Sequence, residues 1–263
     1  MTAQSTLDTL GTMLLSGGVR VVDLAGPLGP ETPLLKLPEG FGDNTPPIEV
    51  HKISEYDEHG PYWAWNWLKI GEHSGTHFDA PHHWISGKDY ADGYTDTIDP
   101  QNFVGPVNVI DCSKESEADP DFLLEVDHIK AWEAEHGEIG AGEWVVMRTD
   151  WYKRNGSEAD FLNNDADGQP HSPGPSVAAV EYLIGKKIKG WGSECIGTDW
   201  GQAATLEPAF PAHTMLHANN MYGLASLAQL DQLPAKGAVL IAAPLKLVQG
   251  TGSPIRALAL VAG

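Results

Sequence analysis

The run His73-Ser74-Gly75-Thr76-His77-Phe78-Asp79-Ala80-Pro81-His82-His83 constrains the fold more than any other part of the chain, because it gathers four imidazoles and a carboxylate where no long helix can form. His73 and His77 have the spacing of a helical pair, but Gly75 lies between them and Pro81 follows. A tight turn through Ser74-Gly75-Thr76, then extended chain, suits these residues better. In extended chain His77 and Asp79 point to the same side, and the turn folds His73 back toward them. Three such donors converging to within about 2.0–2.2 Å of one point suit a divalent metal and leave coordination positions open, as in a catalytic site. His83, beyond Pro81, is then placed near the open face as a proton acceptor and donor. The alternative is that the histidines are core or surface residues grouped by chance, which must put four of the chain's 11 histidines in this one run beside an aspartate.

These residues resemble the His-x-Gly-Thr-His-x-Asp-x-Pro signature of the cyclase-like metal hydrolases, the family that includes bacterial kynurenine formamidases and isatin hydrolases. The resemblance extends to Val21-Val22-Asp23-Leu24 with Pro27, to Arg148-Thr149-Asp150-Trp151, to Pro173-Gly174-Pro175-Ser176 and to Ile196-Gly197-Thr198-Asp199, covering roughly residues 19 to 263. It implies a layered, swivelling β/β/α fold, usually a homodimer with active sites near the subunit interface. In the family a histidine at the place of His213 and a glutamate twelve residues later complete a second metal site. Here the later position is Ala225, and Gly223 to Leu230 offers no other acid. One ion per subunit is therefore expected, held by His73, His77 and Asp79, with His213 free to hydrogen-bond a substrate oxygen or carry a proton to His83. His213 and His217 are four apart, and the plainer reading has them cap a helix or face solvent.

Mixed sheets with a few helices, an α/β class, follow from the patterning. Leu7, Leu10, Met13 and Leu14 have helical spacing, which predicts an N-terminal helical extension over residues 1–18 ending at Gly17-Gly18. Arg20 to Leu24 reads as a strand. Ile48 to Ile70 alternates, placing Trp63, Trp65 and Trp67 on one strand face. Phe103 to Asp111 and Glu143 to Arg148 read as strands around a helix that Asp127 can cap and Gly137 can end. Ser176 caps a further helix to about Lys187, and a strand from Gly190 to Ile196 follows. Ala238 to Ala242 and Ile255 to Val261 are apolar strands able to pair as a hairpin. No linker divides the chain, so 1–263 reads as one domain, with the polar stretch Asn155 to Pro175 as an internal loop.

A net charge of -20 disfavours nucleic acid and anionic membrane as partners, since phosphate binding needs concentrated Lys and Arg. Cys112 and Cys195 form no disulfide pattern and no zinc motif, and both are expected to be reduced and inert. With no basic leader and no long apolar run near the start, a cytoplasmic location is expected.

A divalent ion acidifies bound water and polarises a carbonyl, both useful in amide cleavage. His83 as general base and acid completes the chemistry. Trp63, Trp84 and Trp200 are candidates to enclose a flat substrate, and each also suits plain packing. Within the family the branch that opens the cyclic aryl amide isatin to isatinate fits best, because Ala225 points to a mononuclear centre and the indoles could hold a neutral bicycle. That branch implies manganese; the ligand set itself suits Mn, Zn or Fe. The competing readings are a formamidase for N-formylkynurenine and a metal-dependent small-molecule binder without catalysis.

Overall fold

A computed structural model describes residues 2–37, 42–85 and 87–263. The strands are β1 (Val19–Asp23), β2 (Glu49–Asp57), β3 (Gly60–Lys69), β4 (His77–Asp79), β5 (Val104–Asp111), β6 (Leu123–Leu124), β7 (Trp144–Arg148), β8 (Gly174–Pro175), β9 (Gly190–Ser193), β10 (Tyr222–Ala225), β11 (Ala238–Ile241), β12 (Gly252–Pro254) and β13 (Leu258–Ala262). The α-helices are α1 (Ala3–Ser16), α2 (Ser113–Ala118), α3 (Val126–His136), α4 (Glu158–Leu162) and α5 (Val177–Gly185).

Nine strands form one mixed sheet in the order β1-β13-β11-β5-β7-β9-β10-β4-β12. β5, β7, β9 and β10 run parallel at its centre, and the flanking pairs are antiparallel. The residues Ile255 to Ala257 alone connect β12, at one edge, to β13, next to the other edge. The two edges must therefore lie close, and the sheet curls. Leu24 N–H donates to Ala257 O at 2.8 Å and Ile255 N–H to Thr76 O at 2.9 Å, stitching this closure.

Period-two alternation divides the core between two faces. Val107, Val109, Trp144 and Val146 point into the curl with Phe78, Phe103 and Leu224. Ile110, Val145 and Met147 point the other way, against Ile129 and Trp132 of α3 and Leu183 of α5. The expected α/β class, with a layered mixed sheet, is the architecture observed.

Several boundaries differ from expectation for local reasons. Helix α3 is capped by Glu125 rather than Asp127, because Glu125 and His128 each accept the other's backbone N–H in a reciprocal box; Gly137 ends it as expected. Ser176 caps α5 by accepting the Ala179 N–H. β9 stops at Ser193, where Ser193 Oγ accepts the Cys195 N–H and turns the chain. β11 and β13 do pair antiparallel, but the connection between them contains β12, which crosses to the far edge.

Two elements lack the burial their patterns suggest. Helix α1 ends at left-handed Gly17 as expected, yet none of its residues is buried. The β2–β3 hairpin carries Trp63, Trp65 and Trp67 on one side, each about half exposed. Among the described residues no helix is long and apolar enough to cross a membrane.

Candidate metal centre

Gly75 makes the turn at φ +59°, a conformation that disfavours a side chain, and the chain enters β4 between β10 and β12. His77 pairs with Ala225 on one side and Pro254 on the other; Asp79 pairs with Gly223 and Gly252. Phe78, fully buried in the curl, fixes the register, so His77 and Asp79 share the opposite face. A Cβ on Gly252 would collide with His73 Cε1, so the bare backbone there admits the His73 ring.

Three donors meet at Asp79 Oδ1: His73 Nδ1 lies 2.8 Å away and His77 Nε2 3.3 Å away. Hydrogen bonds behind the rings assign their tautomers. His77 Nδ1 donates to Gly75 O at 2.7 Å, which leaves Nε2 without a proton. His73 Nε2 donates to Thr251 Oγ1 at 3.2 Å, and the Thr251 hydroxyl donates to Glu72 Oε2 at 2.6 Å, which leaves His73 Nδ1 bare. Two lone pairs thus face a carboxylate oxygen, an arrangement that needs a cation among them. The separations match the spacing of about 3 Å between neighbouring ligand atoms on one transition metal. Asp79 Oδ2 is buried without a hydrogen-bond partner, a second sign that positive charge belongs here.

His83 sits on the short helical turn Pro81–His83, its ring stacked on His73 with centroids 3.7 Å apart. Its donor atom falls within 4.8 Å of those of His73 and Asp79. Burial drives its pKa from 6.5 to about 2, with His73, His213 and His217 adding repulsion, so the imidazole is neutral. His82, next to it, turns away and stacks on Tyr94.

A wide helical turn over Ala212–Leu216 presents His213 and leads to His217. The His213 ring lies 5.4 Å from that of His83 and 4.7 Å from that of Trp84, and its Nε2 is 4.0 Å from Asp79 Oδ2. Burial pulls the His213 pKa down, but the hydrogen bond and charge of Asp199 outweigh it and the net shift is upward. His217 is buried, hydrogen-bonded through Nδ1 to Met221 O at 3.1 Å, and burial lowers its pKa to about 4. Both histidines therefore face inward, against the plainer expectation of a cap or a solvent-facing pair. Ala225 is fully buried beside His77, and Ser226 Oγ donates to Cys195 O rather than toward the cluster.

His73, His77, Asp79, His83, Trp84 and His213 are thus brought together. Two expected substrate contacts are not. Trp200 directs its indole N–H to Asp121 O at 2.9 Å, because a partly buried indole needs an acceptor, and acts as a strut. Trp63 stands on the exposed hairpin, and no described ring contact joins it to the cluster, so within one chain it does not wall the site. The Glu72–Thr251 relay and the hold of Asp199 on His213 escaped the sequence reading. Of the residues in these two features, Asp199 carried a signal, its location just past a strand end.

The Cyclase family pattern matches residues 22–200. The chain is 72% identical over 261 residues to the isatin hydrolase of Roseibium aggregatum, covering 99% of each chain. It superposes with a TM-score of 0.98 on a crystal structure of an isatin hydrolase bound to the product analogue thioisatinate, at 71% identity and 100% coverage of both. A kynurenine formamidase of Sphingopyxis alaskensis is 30% identical over 191 residues, covering 71% of this chain and 75% of that one. With the family pattern matching residues 22–200 and a family relative 72% identical over nearly the whole chain, the chain belongs to the Cyclase family.

Proposed function

We propose that this protein hydrolyses the lactam C–N bond of isatin to give isatinate, using one divalent ion per subunit held by His73, His77 and Asp79. The observation that carries the reading is the intact site on a chain 72% identical, end to end, to an isatin hydrolase. The ion, when bound, supplies an acidified water and a polarised carbonyl. His83, neutral and beside the ion position, accepts the water proton as the new C–O bond forms. As the C–N bond breaks, His83 returns that proton to the departing ring nitrogen, which becomes the aniline amine, and the carbonyl carbon becomes a carboxyl group that ionises to the carboxylate by releasing the second water proton to solvent. His213 hydrogen-bonds the substrate oxygen, and Trp84 packs on the aromatic ring. We assign manganese, with zinc as the alternative, since imidazole and carboxylate donors suit both.

Among the described residues no Lys or Arg forms an ion pair with a member of the cluster, which favours a neutral substrate over the amino acid of N-formylkynurenine. The test is to follow ring opening of isatin and deformylation of N-formylkynurenine by absorbance on manganese-restored protein. Preferential turnover of isatin supports the reading; preferential turnover of N-formylkynurenine, or none of either, overturns it.

We further infer that 1–263 acts as one domain and as a homodimer in which the hairpin bearing Trp63, Trp65 and Trp67 is covered by the second subunit. A lone two-stranded hairpin is marginal in water and needs such support. Trp63 then serves the pocket of the neighbouring subunit. The two free, buried cysteines suit a reducing compartment, and we place the protein in the cytoplasm.

A further inference from the structure

Asp199 lies just after β9 and the loop that follows it, and is 8% exposed. Its carboxylate accepts three hydrogen bonds from one short segment. Oδ1 takes the Ala212 N–H at 2.6 Å, while Oδ2 takes the His213 N–H at 3.3 Å and the His213 Nδ1–H. Thr198 Oγ1, 3.3 Å from the same ring nitrogen, flanks it. An ionised carboxylate accepts and cannot donate, so a neutral His213 ring held this way carries its proton on Nδ1 and keeps Nε2 bare. Nε2 is the atom that faces Asp79 Oδ2 across 4.0 Å.

From this geometry we propose that Asp199 is a positioning residue for the hydrolytic reaction: it fixes the tautomer and orientation of His213 so that Nε2 addresses the reacting atoms. The proposal rests on the assignment of His213 to the substrate oxygen. A carboxylate behind an imidazole is a general means of setting ring orientation, and loss of its charge with the shape retained lets the ring adopt the wrong tautomer. The acid behind His213 comes from the strand-end loop rather than from β10, where Ala225 offers none. The wide turn at Ala212–Leu216 aims two consecutive N–H groups at the same carboxylate, so anchoring the turn and orienting the ring are one act.

The first test needs no turnover. Nitrogen-15 histidine spectra of metal-free wild type, at a pH where His213 is neutral, should show it with the proton on Nδ1. Asp199→Asn, still melting within a few degrees of wild type, should move it toward the Nε2 form. A wild-type ring already protonated on Nε2, or a tautomer unchanged in Asp199→Asn, overturns the proposal. The second test is a double-mutant cycle on isatin opening. Asp199→Asn and His213→Ala should each lower kcat about 10²-fold with KM changed less than about threefold, and the double variant should be no slower than the slower single variant. Losses that multiply would show Asp199 acting independently of His213, against the proposal. A protein that opens no isatin but shows the expected tautomer would sink the substrate assignment and leave the Asp199–His213 pairing standing.

Discussion

At the scale of single residues, the site is organised by which nitrogen of each imidazole is already engaged. Gly75 O occupies His77 Nδ1, the Thr251–Glu72 relay occupies His73 Nε2, and Asp199 occupies His213 Nδ1, so each ring offers its remaining nitrogen to the space around Asp79. Space for the rings is equally specific. Gly252→Ala should displace His73 from the ligand set, and elemental analysis should find metal occupancy reduced at least about tenfold, the usual scale for disturbing a ligand's support. Occupancy equal to wild type would show that the Gly252–His73 approach has slack. The convergence of His73, His77, Asp79 and His83 was legible in the sequence because they occupy one short run whose turn and strand geometry follow from Gly75 and the alternation after it. The parts played by Asp199 and Thr251 were not, because they arise only from folding, more than 110 residues from the motif. Trp84 lies beside the cluster because it follows His83 directly in the chain. Trp200 instead turns its indole N–H to Asp121 O, because adjacency in sequence to Asp199 says nothing of where an indole finds an acceptor.

At the scale of elements, the central parallel strands were readable from their continuous apolar runs, and α5 from its Ser176 cap. The strand order was not, since the crossing of β12 to the edge opposite β13 depends on sheet closure rather than on local pattern. Where β9 ends, the chain places Glu194, whose Oε2 accepts the Thr149 N–H at 2.7 Å while Oε1 is buried without a partner. Burial raises its pKa from 4.5 to about 7 despite the Thr149 hydrogen bonds. A carboxyl whose folded pKa is raised stabilises the native state below its unfolded pKa and loses that contribution as pH rises through the folded value. Stability should therefore fall by about 3 kcal/mol between pH 4.5 and 7 from this residue. Glu194→Gln keeps an acceptor for Thr149 and cannot ionise, so in thermal unfolding it should melt above wild type at pH 8, with the gap closing at pH 5. A gap independent of pH would contradict the account.

At the scale of the whole molecule, the apolar surface left open by one chain is concentrated on the β2–β3 hairpin and on α1. Helical and alternating patterns made both elements legible, but a pattern names an apolar face without saying whether the same chain covers it. Replacing Trp65 and Trp67 by Asp should halve the mass measured by light scattering at micromolar concentration, because a desolvated indole replaced by a charge removes the kind of anchor that dominates an interface. A dimer that persists would place the contact elsewhere. If Trp63 serves the neighbouring pocket, an equal mixture of Trp63→Ala and His83→Ala subunits, refolded together, should recover about a quarter of wild-type activity, from the one complete site in each hybrid dimer. No recovery would confine Trp63 to its own subunit.

The central claim is the division of the His73–His83 run into three ligands and a separate base. It is tested most directly by measuring metal content and isatin turnover on one preparation of His83→Ala. The account predicts one ion per subunit, as in wild type, with kcat lowered at least about 10²-fold, the ordinary contribution of a general base. Loss of the ion would make His83 a ligand, and turnover within tenfold of wild type would remove it from the proton transfer; either result contradicts the account.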